Sequence, residues 1–258
     1  MRPLRSYRVT ALVLRTRDLG EADRLLTLLS LERGKIAALA KGARRPRSKL
    51  AALQLFSLAT LQLASGKSLE IVTQAIVRRP FFAIREEVAR FAYACYFAEL
   101  VDLLTEPGES NPELFELTNS AFYLLDAGFD PELTGRAFEI QLLDLSGYGP
   151  ELEHCVACGK SPGAEPMGFS PSLGGIVCAG CVAGRPGLLL IRGESRRGLL
   201  ALRGLHRLTG LAEAGLSFSP AARAEMERLL RTQTAYHLNR EINSLRLLDR
   251  LTRGRSAG

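Results

Sequence analysis

Tyr7-Arg-Val-Thr-Ala-Leu-Val-Leu-Arg-Thr-Arg17 alternates polar and apolar residues at its start and is rich in β-formers. That pattern predicts a half-buried strand. Working outward, Gly20 ends the segment, and Arg24-Leu-Leu-Thr-Leu-Leu-Ser-Leu31 is a second apolar run. Glu32-Arg33-Gly34 turns the chain into a third, Lys35-Ile-Ala-Ala-Leu-Ala-Lys41. Residues 53–64 form a fourth, and Ser65-Gly66-Lys67 leads into a fifth, Leu69 to Val77. Leu and Ala favour strands only weakly, so composition leaves a helical reading of some runs open. Run length and turn spacing favour strands.

Five short strands within residues 1–79 suit an OB-type β-barrel, an architecture that commonly binds nucleic acid along one face. The loop between the third and fourth runs is the informative one: Lys41-Gly-Ala-Arg44-Arg45-Pro46-Arg47-Ser-Lys49 carries five cations. Gly42 and Pro46 keep it from being helical. Guanidinium forks and ammonium groups suit phosphate oxygens. A solvated basic loop is the competing reading. Arg8, Arg15, Arg17, Arg24 and Lys35 on the adjoining runs favour binding, with Lys41, Arg44, Arg45, Arg47 and Lys49 as the contacts. Few aromatics are available to stack bases, Tyr7 and Phe56 being the main candidates, so sequence-tolerant electrostatic binding is expected.

Cys155-Val-Ala-Cys158 and Cys178-Ala-Gly-Cys181 are two C-x-x-C pairs. Each places two thiolates on one turn, and two such turns can close a four-sulfur cage around a single Zn2+. Gly174-Gly175 before Ile176-Val177 fits a hairpin between the pairs. A pair of redox sites or two disulfides is the alternative. A redox C-x-x-C should follow a strand and open a helix, whereas Pro150, His154, Gly159 and Pro162 flank the first pair. Four cysteines leave no open coordination position, so Cys155, Cys158, Cys178 and Cys181 predict a structural metal. The fifth cysteine, Cys95, lies in an apolar helical stretch and reads as inert core.

Of the 258 residues, 47% are hydrophobic, enough for real cores. The net charge of +7 conceals a segregation: residues 1–79 carry +11, residues 80–154 carry −12 and residues 155–258 carry +8. A basic N-terminal third suggests a polyanionic partner, although internal pairing of the basic and acidic regions is also compatible with these sums. Pro80 after Arg78-Arg79 marks a boundary. Three helices are expected next, the first over 85–104 and the others opened by Asn111-Pro112-Glu113 and Asp130-Pro131-Glu132, each an N-cap, a first-turn proline and an acid. Gly128 and Gly147 stop the second and third. Leu188–Ile191 is an apolar run of undecided type, residues 194–205 and 220–238 read as helices, and Arg240, Arg246, Arg250, Arg253 and Arg255 form a basic tail region with a disordered end. The fold class is α+β: residues 1–79 form the barrel, 80–154 an acidic helical bundle, 155–185 an inserted four-cysteine zinc hairpin and 186–258 further helices. No long apolar span or signal core is evident, so a cytoplasmic chain is expected.

No G-x-x-x-x-G-K-[ST] is present, and His154, His206 and His237 stand apart from one another. Nothing marks a catalytic group. Taken together, the chain resembles the RecO family of bacterial recombination mediators. The resemblance rests on Val13-Leu-Arg-Thr-Arg-Asp-Leu-Gly20-Glu-Ala-Asp23, the Lys41–Lys49 loop, Gly147-Tyr-Gly-Pro150 ahead of Cys155-Val-Ala-Cys158-Gly159, and Tyr236-His-Leu238 with Ser244-Leu-Arg246. It implies a non-enzymatic protein of the bacterial nucleoid that binds single- and double-stranded DNA and anneals complementary strands. It also implies work with RecR to load RecA onto strands coated by single-strand-binding protein. A docking site for that coat protein's acidic tail would require Arg90, Arg136 or the C-terminal arginines. Two other classes compete: a zinc-ribbon adaptor acting through protein partners, and a metal- or nucleotide-dependent nucleic-acid enzyme.

Overall fold

A computed structural model describes residues 6–66, 68–163, 165, 167–238 and 240–255, the side chains of 252–255 excepted. Met1–Arg5, Lys67 of the expected turn, the Arg253 and Arg255 side chains, and Ser256–Gly258 of the expected tail lie outside the described residues. The chain divides into two compact units, residues 1–128 with 242–258, and residues 129–241.

The first unit opens with a closed barrel in the order β1-β2-β3-β5-β4. Its strands are β1 (Ser6–Leu19), β2 (Asp23–Ser30), β3 (Gly34–Ala40), β4 (Leu58–Ser65) and β5 (Glu70–Arg79). β1 pairs with β2 on one side and β4 on the other, and β3 closes on β5 in parallel through Ala38–Glu70 and Leu39–Ile71. The alternating inward residues, among them Val9, Ala11, Val13, Leu26, Leu28, Leu61 and Leu63, form one buried cluster. Alternation thus overrides the modest strand propensity of Leu and Ala, because closure gives every inward side chain a core to enter.

The fourth apolar run is only partly a strand. Lys49–Ala52 forms a 3₁₀ turn, and β4 begins at Leu58. Phe56 has φ 70°, donates its N–H to Val13 O at 2.8 Å, and is fully buried against Phe91 and Phe122, with ring centroids 5.7 and 5.2 Å away. The expectation that Phe56 stacks bases is therefore overturned: its ring is core.

The expected first helix is two elements, α1 (Phe82–Glu86) and α2 (Val88–Leu104). Glu87 between them is extended and caps α2, accepting from the Ala89 and Arg90 N–H groups. α3 (Pro112–Asp126) begins as predicted, with the Asn111 carboxamide accepting from Leu114 N–H. α8 (Leu245–Arg255) belongs to this unit and packs on α2. Glu99 fastens its start by accepting from the Asn243 and Ser244 N–H groups at 2.9 and 2.7 Å. The tail region is thus an anchored helix through its described part.

The second unit holds α4 (Pro131–Leu145), a three-stranded sheet, and the helices α5 (Ala179–Val182), α6 (Gly193–Arg203) and α7 (Pro220–Leu238). Asp130 caps α4 through Glu132 N–H and Leu133 N–H. The sheet runs β7-β6-β8, with β6 (Met167–Ser170), β7 (Gly175–Val177) and β8 (Leu189–Ile191). β6 and β7 form the anticipated hairpin, and the undecided Leu188–Ile191 run supplies β8. No helix among the described residues is long and apolar enough to cross a membrane.

Candidate functional site

The basic loop leaves β3 at Lys41 and is tied to the β1–β2 turn by a compact set of bonds. Gly42 has φ 65°, a conformation that favours glycine, and its N–H donates to Asp23 Oδ1 at 2.8 Å. Arg44 N–H donates to Ala22 O at 2.9 Å. The Arg44 guanidinium donates to Gly20 O at 2.9 Å and to Glu21 O at 3.3 Å, and its Nε lies 3.2 Å from Asp18 Oδ2. Arg44 therefore works mainly as a fastener of the loop.

Lys41, Arg45, Arg47 and Lys49 are all exposed. Among the described residues none of these four side chains meets a carboxylate or a hydrogen-bond acceptor. The fold thus separates the five loop cations into one that shapes the loop and four that face solvent.

The neighbouring cations divide in the same way. Arg24 lies 3.5 Å from Asp18 and donates to Leu53 O, and Lys35 donates to both the carbonyl and the carboxylate of Asp102 at 2.6 and 3.1 Å. Arg8, Arg15 and Arg17 on β1 are exposed. Tyr7 is half-buried with the Arg33 guanidinium 4.1 Å from its ring centroid, beside a cavity of about 470 Å³ that Lys35, Glu70 and Pro107 help line. Burial, then the Glu70 carboxylate, push the Tyr7 phenol up. One face of that ring is already occupied.

Arg136 is buried, contrary to the expectation that it could dock an acidic tail. It is 3% exposed and its Nε sits 3.0 Å from Glu139 Oε2, itself 1% exposed. Burial of this pair removes Arg136 from the docking cations. Arg90 is half-buried beside Glu87 at 3.5 Å.

The four paired cysteines converge. Cys155, Cys158, Cys178 and Cys181 place their sulfurs within 4.8 Å of one another, and Cys158 Sγ and Cys178 Sγ are 3.8 Å apart. None of the four is joined in a disulfide. A four-sulfur tetrahedron built on a metal–sulfur bond of about 2.3 Å has an edge of roughly 3.8 Å, so the residues fit one metal ion. Their local structure explains the convergence. Gly159 N–H returns to Cys155 O at 2.8 Å, and Cys181 N–H to Cys178 O at 2.9 Å, closing each turn.

The second turn is set against the first by Val156 N–H to Ile176 O and Ile176 N–H to Glu151 O, both 2.9 Å. Gly175 permits this approach, since a Cβ there would lie 2.4 Å from Glu151 O. Burial pushes the Cys155 thiol up, but N–H groups of Cys178, Ala157 and Cys158 outweigh it and bring it down to about 6. A thiolate so favoured is a metal ligand in waiting. His154 is exposed, 3.9 Å from Glu151, and stands outside the sulfur cluster.

The module is held to its own unit by two arginines. Arg196 donates to Leu152 O at 2.6 Å, and Arg203 donates to Pro150 O at 2.6 Å while pairing with Asp144 at 2.9 Å. Cys95 is half-buried, and burial, then Glu99, raise its thiol to about 11, in keeping with an unreactive core residue.

Sequence reasoning missed two exposed rings, Phe82 and Tyr123, which are 63% and 43% exposed. Their arginine neighbours Arg79 and Arg85 were the available signal.

The family description "Recombination protein O N terminal" matches residues 1–81, and "Recombination protein O C terminal" matches residues 85–246. A "DNA repair protein RecO" from Pelotomaculum thermopropionicum is 40% identical over 249 residues, covering 96% of this chain and 95% of that protein. Proteins of the same description from Roseiflexus sp. and Symbiobacterium thermophilum are 40% and 36% identical, over 95% and 96% of this chain and 86% and 99% of theirs. With both domain descriptions matched in order and relatives aligned along nearly its whole length, the chain belongs to the RecO family.

Proposed function

We propose that this chain is a non-enzymatic DNA-binding protein of DNA repair, which holds strands through the phosphate-facing cations Lys41, Arg45, Arg47 and Lys49. The observation that carries the reading is the division of labour in the loop. Arg44 places Nη1 on Gly20 O and Glu21 O and Nε on Asp18, and so fastens a loop whose other four cations are exposed and, among the described residues, unpartnered. Point charges aimed at solvent suit a polyanion whose phosphates are regularly spaced and whose condensed counterions are released on binding. The curated relatives are described as DNA repair proteins, which matches that ligand.

Within this reading the protein accepts both single- and double-stranded DNA, since phosphates are common to both. It anneals complementary strands by offsetting their mutual repulsion with cations on two surfaces. The loop is one. The exposed Arg207 and Arg240 of the second unit contribute to the other. Its partners are RecR, single-strand-binding protein and, indirectly, RecA. The cysteine cage would hold one Zn2+ through Cys155, Cys158, Cys178 and Cys181, and the ion would brace the hairpin without an open position for chemistry. The test is binding of the full chain to a labelled single-stranded oligonucleotide across a salt series. Tight binding that weakens with salt supports the reading; an absence of binding favours an adaptor that acts through proteins alone.

A further inference from the structure

Phe56 and Phe81 are the non-glycine residues with positive φ among those described. The left-handed region is unusual for a bulky side chain and draws attention to what the local chain reversal achieves. At Phe81, φ 46°, the result is clear. The Phe81 ring is buried, 6.2 Å from the Phe122 ring, while the adjacent Phe82 ring is 63% exposed. Tyr123, adjacent to Phe122 on α3, is 43% exposed. A buried pair of rings is thus flanked by two rings in solvent. Ala83 N–H donates to Asp126 Oδ1 at 2.8 Å, which pins the start of α1 on α3 and fixes both rings relative to each other.

Each exposed ring carries a guanidinium. The Arg85 guanidinium carbon lies 5.3 Å from the Phe82 centroid, and that of Arg79 lies 5.2 Å from the Tyr123 centroid. Arg85 is itself oriented, donating to Leu55 O at 2.9 Å. Leu55 lies in the segment that carries the chain from the basic loop back to β4. Through Arg85 the Phe82 ring is thus tied to the segment that follows the basic loop. Arg78, exposed on β5 and bonded to Thr60 Oγ1 at 3.0 Å, adds a further cation.

We propose that Phe82 and Tyr123 form a stacking platform for the bases of an unpaired nucleic-acid strand whose phosphates lie along the Lys41–Lys49 loop. This rests on the DNA-binding reading above and adds to it a preference between ligands. An aromatic ring backed by a guanidinium presents a π-face at low ordering cost, and every base can stack on it whatever the sequence. Bases in a duplex are already stacked on their neighbours, so the platform favours single strands. A peptide partner would instead call on exposed aliphatic side chains such as Ile76 and Val88. The arginine beside each ring favours an anionic ligand with flat faces.

The test compares oligothymidine with an abasic oligonucleotide of equal length, both titrated with the full chain at matched salt. Wild-type protein should bind oligothymidine about 5- to 100-fold more tightly. Phe82→Ala with Tyr123→Ala should abolish that preference, leaving abasic affinity, salt dependence and melting temperature unchanged. Phe82→Leu, which leaves Tyr123 in place, should reduce the preference, and Phe82→Tyr should keep it in full. Equal wild-type binding to both oligonucleotides, with the loop's salt dependence intact, overturns the platform while the loop reading stands. Full preference in Phe82→Leu also overturns it, in favour of an apolar surface for a protein partner. Failure to bind either oligonucleotide overturns the loop reading and the platform with it.

Discussion

Arg44 and Arg45 are adjacent in a basic loop, yet the structure gives them different work, and alanine substitution should separate the two. Arg44→Ala removes the bonds to Gly20 O and Glu21 O and the contact with Asp18, but leaves Arg44 N–H on Ala22 O and Gly42 N–H on Asp23. The Asp18 pair has side chains 36% and 55% exposed, so its contribution is a few tenths of a kcal/mol, about the median for surface pairs. The better of the two carbonyl bonds contributes about 1 kcal/mol net.

The total, roughly 1–1.5 kcal/mol, disorders the loop without unfolding the barrel and should weaken DNA binding by about 5- to 10-fold. Because the Arg44 charge is already met by Asp18, the slope of log affinity against log salt should hardly move. Arg45→Ala breaks no bond and should leave loop order intact, while reducing the slope by about 0.7, the value for one phosphate contact on a single strand. Fluorescence anisotropy over a salt series, with hydrogen exchange at the Gly42 and Arg44 amides, reads both effects. Equal slope changes for the two variants would refute the division of labour.

The remaining predictions concern the supports of the two units. Burial pushes the Glu99 carboxyl up, but bonds from Ser244 and Asn243 outweigh it and hold it below its ordinary 4.5. Since a depressed folded value stabilises the deprotonated form, the anchoring of α8 should be fully present above pH 4.5 and lost as pH falls below it. Glu99→Gln should speed exchange of the Asn243 and Ser244 amides at neutral pH, and unchanged exchange would count against the clamp. Cys158→Ser should lower melting of the second unit and release zinc, measured as metal per chain by mass spectrometry, while oligonucleotide binding falls only as far as folded protein is lost. Gly175→Ala should cost about 1–3 kcal/mol in chemical denaturation, because the new methyl would meet Glu151 O at 2.4 Å; a neutral effect would mean that the cysteine turns approach less closely.

What could be read from the sequence depended on whether the signal was local. Asn111-Pro112 and Asp130-Pro131 announce helix starts because an N-cap uses its own next three residues. Each C-x-x-C pair announces a turn that bears two thiols for the same reason, whereas the bonds that set one turn against the other, Val156 N–H to Ile176 O and Ile176 N–H to Glu151 O, are long-range. The strands were legible where alternation met a closed barrel.

Failures fall where the partner is distant. Leu188–Ile191 became β8 only through pairing with β6, and a short apolar run carries no periodicity to reveal that. Phe56 resembled a strand aromatic because nothing in its neighbours signals a left-handed backbone or burial by Phe91 and Phe122. Arg44 and Arg45 are indistinguishable as letters; only the position of Gly20 and Asp18 across the turn tells the bonded arginine from the exposed one. Phe82 was unremarked for the converse reason, since an apolar residue opening a helix is ordinarily core.

The proposal that DNA phosphates are held by four loop cations makes a quantitative demand on salt dependence. Its most direct test is the salt dependence of single-stranded oligonucleotide binding by the full chain with Lys41, Arg45, Arg47 and Lys49 all replaced by alanine. Four contacts at about 0.7 each predict a slope shallower than wild type by roughly 3, with an unchanged melting temperature because none of the four side chains supports the fold. A slope equal to that of the wild-type protein would contradict the account.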